Sequence, residues 1–469
     1  ASTAARGGRG ERAAQTSTGE AVAISLGAGF ARSDITPPLG TSLCGYFQER
    51  YAAGVHDPLF CKSLSVSANG ARLSLTSCDL IAMSADTARQ TEQAAGVTAG
   101  PQLQSIVCCT HTHLGPATVS VLGSPRADEY AEQLPRMVAG AVQAAENEPF
   151  EASLAIGVAQ ARGISFNRRY HMRDGSVQMN PGRGNPDILK PAGPIDPQVL
   201  VLVVRDSPGR PRVLFVNFAM HLDTIGGQIV SADYPAFLAS NVREGLGGEV
   251  ETVFANGAFG DINHIDVSDT SPPQGFAMAE RIGRRLGDVV LQAYEAARPI
   301  GQFAVRAAGR VVALPAREIT QEMLERARLV QLVGDPNAPP WERQQAAEHL
   351  GTDAPGLLER TYAKEWQLLA ARGSKPYEAE VRVACLGPQV AFVGLPGETF
   401  CELGLAIKHR SPFPHTFVIS LANGYVGYVP TERAFAEGGY ETTPARSSPL
   451  APGAGEMLVE AAVGLLGQI

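Results

Sequence analysis

The stretch "IVCCTHTHLGP", residues 106–116, places His111 and His113 two apart behind an apolar run. Imidazoles so spaced can ligate a metal, move protons or simply cap a loop. If extended backbone persists to His113, residues i and i+2 share a face and both rings address one site. His221 closes another apolar run, "RVLFVNFAMHLD". It is either a second imidazole donor or a buried structural histidine. Glu398 in "VGLPGETF" either joins such a site or caps a helix expected from the next residues, since carboxylates are favoured at helix N-termini. Asp261, Asn263 and His264 in "GDINH" form a further polar cluster. They contact metal or substrate, or they hold a turn through side-chain hydrogen bonds. Tyr425 and Tyr428 in "NGYVGYVP" and Tyr440 in "EGGYE" carry phenols. A phenol can donate to a developing oxyanion or bind a cation, and each also reads as a packed aromatic.

The elements that must position these groups alternate between strands and helices. "KSLSVSANGARLSLTSCDLIA" reads as a hairpin turning at Asn69-Gly70. "SADTARQTEQAAG" predicts a helix that stops at Gly96. "DEYAEQLPRMVAGAVQAAENE" predicts a long amphipathic helix interrupted at Pro135. "QVLVLVVRD", "RVLFVNF", "VETVFAN", "VRVACL" and "QVAFVG" read as buried strands. Five apolar runs, those ending in "CCTHTHLGP", "FAMHLDTIGG", "FANGAFGDINH", "FVGLPGETF" and "LANGYVGY", close on a polar residue beside a Gly-rich turn, the place where open α/β sheets gather ligands. The fold class is α/β or mixed α+β, with multi-stranded mixed sheets flanked by helices. Residues 316–373 are charged, helical in pattern and poor in Gly, so they read as a helical insertion or lid. Residues 26–469 are expected to form one domain, preceded by a flexible, disordered tail at 1–25.

With 469 residues, a net charge of −8 and no basic stripe, the composition argues against nucleic acid as a partner. No apolar run approaches the roughly 18–20 residues that span a bilayer. Peripheral membrane contact stays open, and the oligomeric state is not legible. Cys44, Cys61, Cys78, Cys108, Cys109, Cys385 and Cys401 include no C-x-x-C pair, and they read as buried free thiols. The Ala/Gly/Ser/Arg-rich start lacks an apolar signal core and suits what remains after signal cleavage, which favours a secreted or periplasmic location over a cytoplasmic one.

"THTHLGP" resembles the THTHSGP motif of the neutral/alkaline, non-lysosomal ceramidases. Further stretches resemble that family's segments in the same order: "GAGFARSDITPPLG", "GVHDPLFCKSLSV", "FNRRYHM", "FAMHLDT", "FANGAFGDIN", "LPGETF" and "NGYVGYVPTERAFAEGGYE". The resemblance covers the catalytic domain and not the family's C-terminal immunoglobulin-like domain. It implies a zinc-dependent amidohydrolase of lipid (sphingolipid) metabolism that cleaves a small-molecule N-acyl compound with metal-activated water. It implies zinc ligands at His111, His221, Glu398 and Tyr428. It assigns His113, Tyr440 and Arg168 to the substrate's amide and its developing charge, and Asp223 or Asp233 to the outer partner of His221. Asp233, Asp261 and Asn263 make up the supporting polar cluster. Where the family has a serine after N-R, this chain has Arg169, and the added arginines of "NRRYHMRDG" suit a polar or anionic substrate better than a twin-chain lipid. An ester hydrolase on the same site and a non-catalytic binding protein are the alternatives.

Overall fold

Two sheets lie face to face and bury their apolar inner faces against each other. In the computed structural model, which describes residues 26–96 and 103–469, the larger sheet has nine strands. They include β1 (Leu26–Asp34), β2 (Phe60–Ala68), β3 (Ala71–Cys78), β4 (Leu103–Cys109), β5 (Phe150–Gln160), β6 (Gln198–Asp206), β7 (Pro211–Phe218) and β8 (Glu251–Asn256). Their order is β8-β7-β6-β5-β1-β2-β3-β4, and the short strand Arg298–Pro299 pairs with β5. The β3–β4 and β7–β8 pairs are parallel and the others in this order are antiparallel. The smaller sheet runs β9 (Val305–Leu314), β10 (Tyr377–Leu386), β11 (Val390–Gly394) and β12 (His415–Ile419), with β11–β12 parallel. Phe215 of β7 meets Phe392 of β11 and Phe417 of β12 at centroid distances of 5.9 Å, and the latter two stack at 4.8 Å. Each such ring contributes about 1.5–3 kcal/mol by leaving water.

Helices cover the outer faces. On the larger sheet these are α1 (Ala85–Ala95), α2 (Asp128–Asn147), α3 (Tyr234–Leu246) and α4 (Phe276–Glu295). Three helices, α5 (Gln321–Gly334), α6 (Pro340–Leu350) and α7 (Leu357–Arg372), lie between β9 and β10 in the chain, as the charged composition of 316–373 predicts. α8 (Cys401–Arg410), α9 (Glu432–Glu437) and α10 (Ala454–Leu466) follow, with α8 and α10 packed on the smaller sheet. The result is the expected mixed α/β class. The hairpin turns at Asn69 and Gly70, both at positive φ, and α1 stops at left-handed Gly96. The seven cysteines are buried and free. No helix among the described residues is long and apolar enough to cross a membrane.

Two local expectations fail. α2 runs unbroken through Pro135. The ring removes one N–H, while buried Tyr130, Leu134, Val138 and Val142 keep the helix docked. The strand expected to carry both histidines ends at Cys109. The expected tail, 1–25, lies outside the described residues.

Candidate metal centre

The site sits beyond the C-terminal ends of parallel strands drawn from both sheets. β4 leads to His111 and His113, β7 to His221, β11 to Glu398 and β12 to Tyr425 and Tyr428. Only parallel strands aim consecutive chain exits at one edge, so the pairs β3–β4, β7–β8 and β11–β12 decide where the site can be.

His111 leaves the strand with φ +81°, a left-handed conformation that costs a β-carbon-bearing residue about 1–3 kcal/mol. Its backbone N–H donates to the Leu80 carbonyl at 2.8 Å, and its Nδ1 lies 2.7 Å from the Ile81 carbonyl. The pleat of a strand therefore does not align His111 with His113. The turn does, and the rings meet edge to face at 4.9 Å.

His221 is fully buried, with Nδ1 at 3.1 Å and 3.0 Å from the carbonyls of Phe259 and Ile262. These backbone carbonyls, and neither Asp223 nor Asp233, set its tautomer. Asp223 faces His264 at 3.3 Å. Asp233 caps α3 and accepts from Thr224. In both His111 and His221 the Nδ1 proton is thus given to main chain, which turns the Nε2 lone pair inward. Glu398 Oε2 lies 3.4 Å from Nε2 of His111 and 3.3 Å from Nε2 of His221.

Glu398 does not cap α8. The Cys401 N–H is taken instead by Asp261 Oδ1 at 2.8 Å, and Asp261 Oδ2 holds Asn167 at 2.7 Å. Asp261 so ties the backbone beside Arg168 to the start of α8. Its neighbour Gly260 is obligatory, because a Cβ there would sit 2.3 Å from the Glu398 carbonyl oxygen. Asn263 holds a turn, accepting from the Ile265 N–H and donating to Asn180.

The three histidines offer ligand atoms within 4.8 Å of one another. Both ring nitrogens of His113 and Glu398 Oε2 are sealed from solvent without a hydrogen-bond partner. Burial pushes the His113 and His221 imidazoles down, towards their neutral forms. Burial opposes the charge on Glu398, yet His111 and then His221 hold its carboxyl well below the usual range. The His221 ring nitrogen is reached by Arg168, but His113 and Glu398 Oε2 have no donor, and imidazoles gathered around such a carboxylate oxygen fit a cation.

Tyr428 Oη lies 3.4 Å from His221 Nε2. Burial pushes its phenol up, and the Arg168 guanidinium works the other way. Arg168 is buried, with Nη1 3.2 Å from His221 Nε2, Nη2 unpartnered and Nε donating to Glu441 at 2.8 Å. Arg169 is turned away from the site. It donates to Glu441 at 3.0 Å and to the Gly438 carbonyl at 2.8 Å, so it braces the loop that carries Tyr440. Two residues escaped the sequence reading of roles. Glu441, fully buried, neutralises both arginines. Tyr425 donates to Glu398 Oε1 at 2.9 Å. Tyr425 is among the candidate phenols but the sequence assigns it no partner, and only the adjacency of Glu441 to Tyr440 hints at the glutamate.

His111, His113, Glu398, Tyr425, Tyr428 and Tyr440 line a narrow cavity of about 30 Å³, which Tyr46, Leu122 and Ser447 also line. That is room for a water molecule and a small reacting group.

Two solved structures share this architecture. The neutral ceramidase from Pseudomonas aeruginosa matches with a TM-score of 0.70 at 18% identity, over 95% of this chain and 75% of its own. A ceramidase complexed with C2 matches with a TM-score of 0.68 at 17% identity, over 95% of this chain and 76% of its own. No protein-family model matches the chain, and no curated protein does. At these identities the likeness establishes the fold, which is the ceramidase-type catalytic fold that the motif order leads one to expect.

Proposed function

We propose that residues 26–469 form one zinc-dependent amidohydrolase domain, with 316–373 as its insertion, acting on N-acyl compounds. The observation that carries this reading is the meeting of His111, His221 and Glu398, lone pair to lone pair, in a buried cavity. The ceramidase fold and the order of the sequence motifs support it.

His111, His221, Glu398 and Tyr428 would hold the zinc. The division between His111 and His113 follows from their surroundings. The Nδ1 atoms of His111 and His221 are fixed by backbone carbonyls, as ligand imidazoles require, whereas His113 has no fixed partner. Zinc, when bound, would supply a water of lowered pKa and polarise the carbonyl of the amide whose C–N bond breaks. His113 faces the substrate, and its neutral ring would take a proton from the attacking water and pass that proton to the leaving amine. The Tyr440 hydroxyl in the cavity wall and Arg168, with Nη2 free, bind the carbonyl oxygen as charge develops. Each such donor is worth about 2.7–4 kcal/mol in comparable sites.

The test is elemental analysis of the purified protein together with turnover of N-acyl amides and matched esters. About one zinc per chain and amide cleavage are expected, both lost in His111→Ala. A protein that takes up no zinc, or a His111→Ala variant that keeps zinc and activity, sinks the proposal. Cleavage of esters alone would move the reaction to ester hydrolysis on the same site.

A further inference from the structure

A second cavity, about 970 Å³, adjoins the first, and Leu122 lines both. One of its walls is a single face of α7. Leu357, Arg360, Thr361, Lys364 and Leu368 recur at helical spacing and all line it. This wall is fastened to the loop that carries Tyr440. Buried Glu365 pairs with Arg446 at 2.7 Å, and Trp366 Nε1 donates to the Pro444 carbonyl at 3.0 Å. Phe47 bridges the two regions, contacting Tyr362 of α7 at 5.8 Å and Tyr440 at 6.2 Å.

The lining carries four cations in a chain whose net charge is −8. Two of them are spent on carboxylates, Arg126 on Asp128 at 2.8 Å and Arg446 on Glu365, and Arg360 gives one N–H to the neutral Pro355 carbonyl. The two carboxylates of the lining do not reach the other pair: Asp128 holds Arg126, and Glu49 accepts from Tyr51 at 3.0 Å. Arg360 and Lys364, one helical turn apart and exposed, have no carboxylate in ion-pair reach among the described residues. Leu357 and Leu368 flank them with exposed apolar surface. The face is therefore amphiphilic and cationic.

We propose that α7 is the specificity wall of the enzyme. The substrate is an amphiphilic N-acyl amide bearing an anionic group, which lies against Arg360 and Lys364 while the amide carbonyl passes Leu122 into the metal cavity. This inference rests on the amidohydrolase reading for the chemistry, but its recognition step is measurable without turnover.

The test compares N-lauroylglycine with its uncharged glycinamide counterpart by titration calorimetry at low salt, alongside hydrolysis of both. The wild-type protein is expected to bind the acid about fivefold or more tightly, an effect that salt weakens. Arg360→Gln/Lys364→Gln is expected to erase the preference, and Arg360→Glu/Lys364→Glu to reverse it. No preference in the wild type, or a preference that survives the double glutamine variant, overturns the proposal. If the acid is preferred and the preference needs both cations but neither compound is cleaved, the groove stands and the amidohydrolase reading fails. If both are cleaved without preference, only the groove inference fails.

Discussion

Replacing Glu441 by Gln tests whether a buried charge network holds Arg168 at the site. The carboxylate is inaccessible to solvent and accepts from Arg168 Nε at 2.8 Å and from Arg169 Nη1 at 3.0 Å. Burial opposes its charge, and the two guanidinium groups overcome that, holding the carboxyl below its usual range. Hydrogen bonds to charged groups contribute about 1.5–3 kcal/mol each, and breaking a buried pair from one side costs about 3–5 kcal/mol. Glutamine keeps one acceptor oxygen and turns an N–H2 donor towards the other arginine. Arg169 keeps the Gly438 carbonyl at 2.8 Å and Glu437 at 3.4 Å. Arg168 keeps its contact with His221 and the rings of Tyr428 and Tyr440, but no carboxylate. The loss thus falls on Arg168, and about 3 kcal/mol is expected, the lower end of the range. Urea unfolding followed by circular dichroism measures it. In the same variant kcat/KM should fall about a hundredfold as one oxyanion donor loses its aim, and zinc content should stay unchanged. A stability loss under about 1 kcal/mol with full activity would refute the reasoning. So would loss of zinc at unchanged stability, because Glu441 would then support the ligands rather than Arg168.

Two further perturbations test one group at the site and one buried carboxyl outside it. Tyr425→Phe removes the donor to Glu398 Oε1 and should lower zinc affinity about 10- to 100-fold in chelator competition, with little effect on unfolding; an unchanged affinity rules out the assigned role. Burial pushes the Asp79 carboxyl up to about 6, against Lys62 and the Phe60 N–H, which lower it. A folded-state acid with a raised pKa stabilises the fold when protonated, and that contribution is lost as pH rises from about 4 through about 6. The stability of the wild type relative to Asp79→Asn should therefore be greater at pH 4 than at pH 7.5, by about 2–3 kcal/mol. Paired urea titrations check this, and a pH-independent difference would show that Asp79 is not held in a desolvating pocket.

Much of the scaffold was legible because its causes are local. Asn69-Gly70 can only turn one way cheaply, Gly96 supplies a left-handed stop, and "VLVLVV" has no polar face to show to water. The candidate site residues were legible as a group, which the structure brings together, because apolar runs end near them and the motifs occur in a family's order. Their roles were not, since several causes are distant in the chain. The cap reading of Glu398 is locally sound and fails only because Asp261, 140 residues away, reaches the Cys401 N–H first. The pleat argument for His111 and His113 is sound for a strand and fails because the chain turns to bond Leu80 and Ile81. Arg169 reads as a substrate-facing cation until Glu441, 272 residues away, claims it.

The sequence by itself determined most of the strands and helices, and which polar side chains follow the apolar runs, because propensity, periodicity and turn chemistry act over a few residues. Only the tertiary structure decided that two sheets bring their parallel strand ends to one edge. Only there do backbone carbonyls from remote loops fix the tautomers of His111 and His221, and a buried glutamate absorb one arginine while aiming another. Those outcomes depend on desolvation and on the geometry of groups far apart in the chain, and no local pattern encodes them.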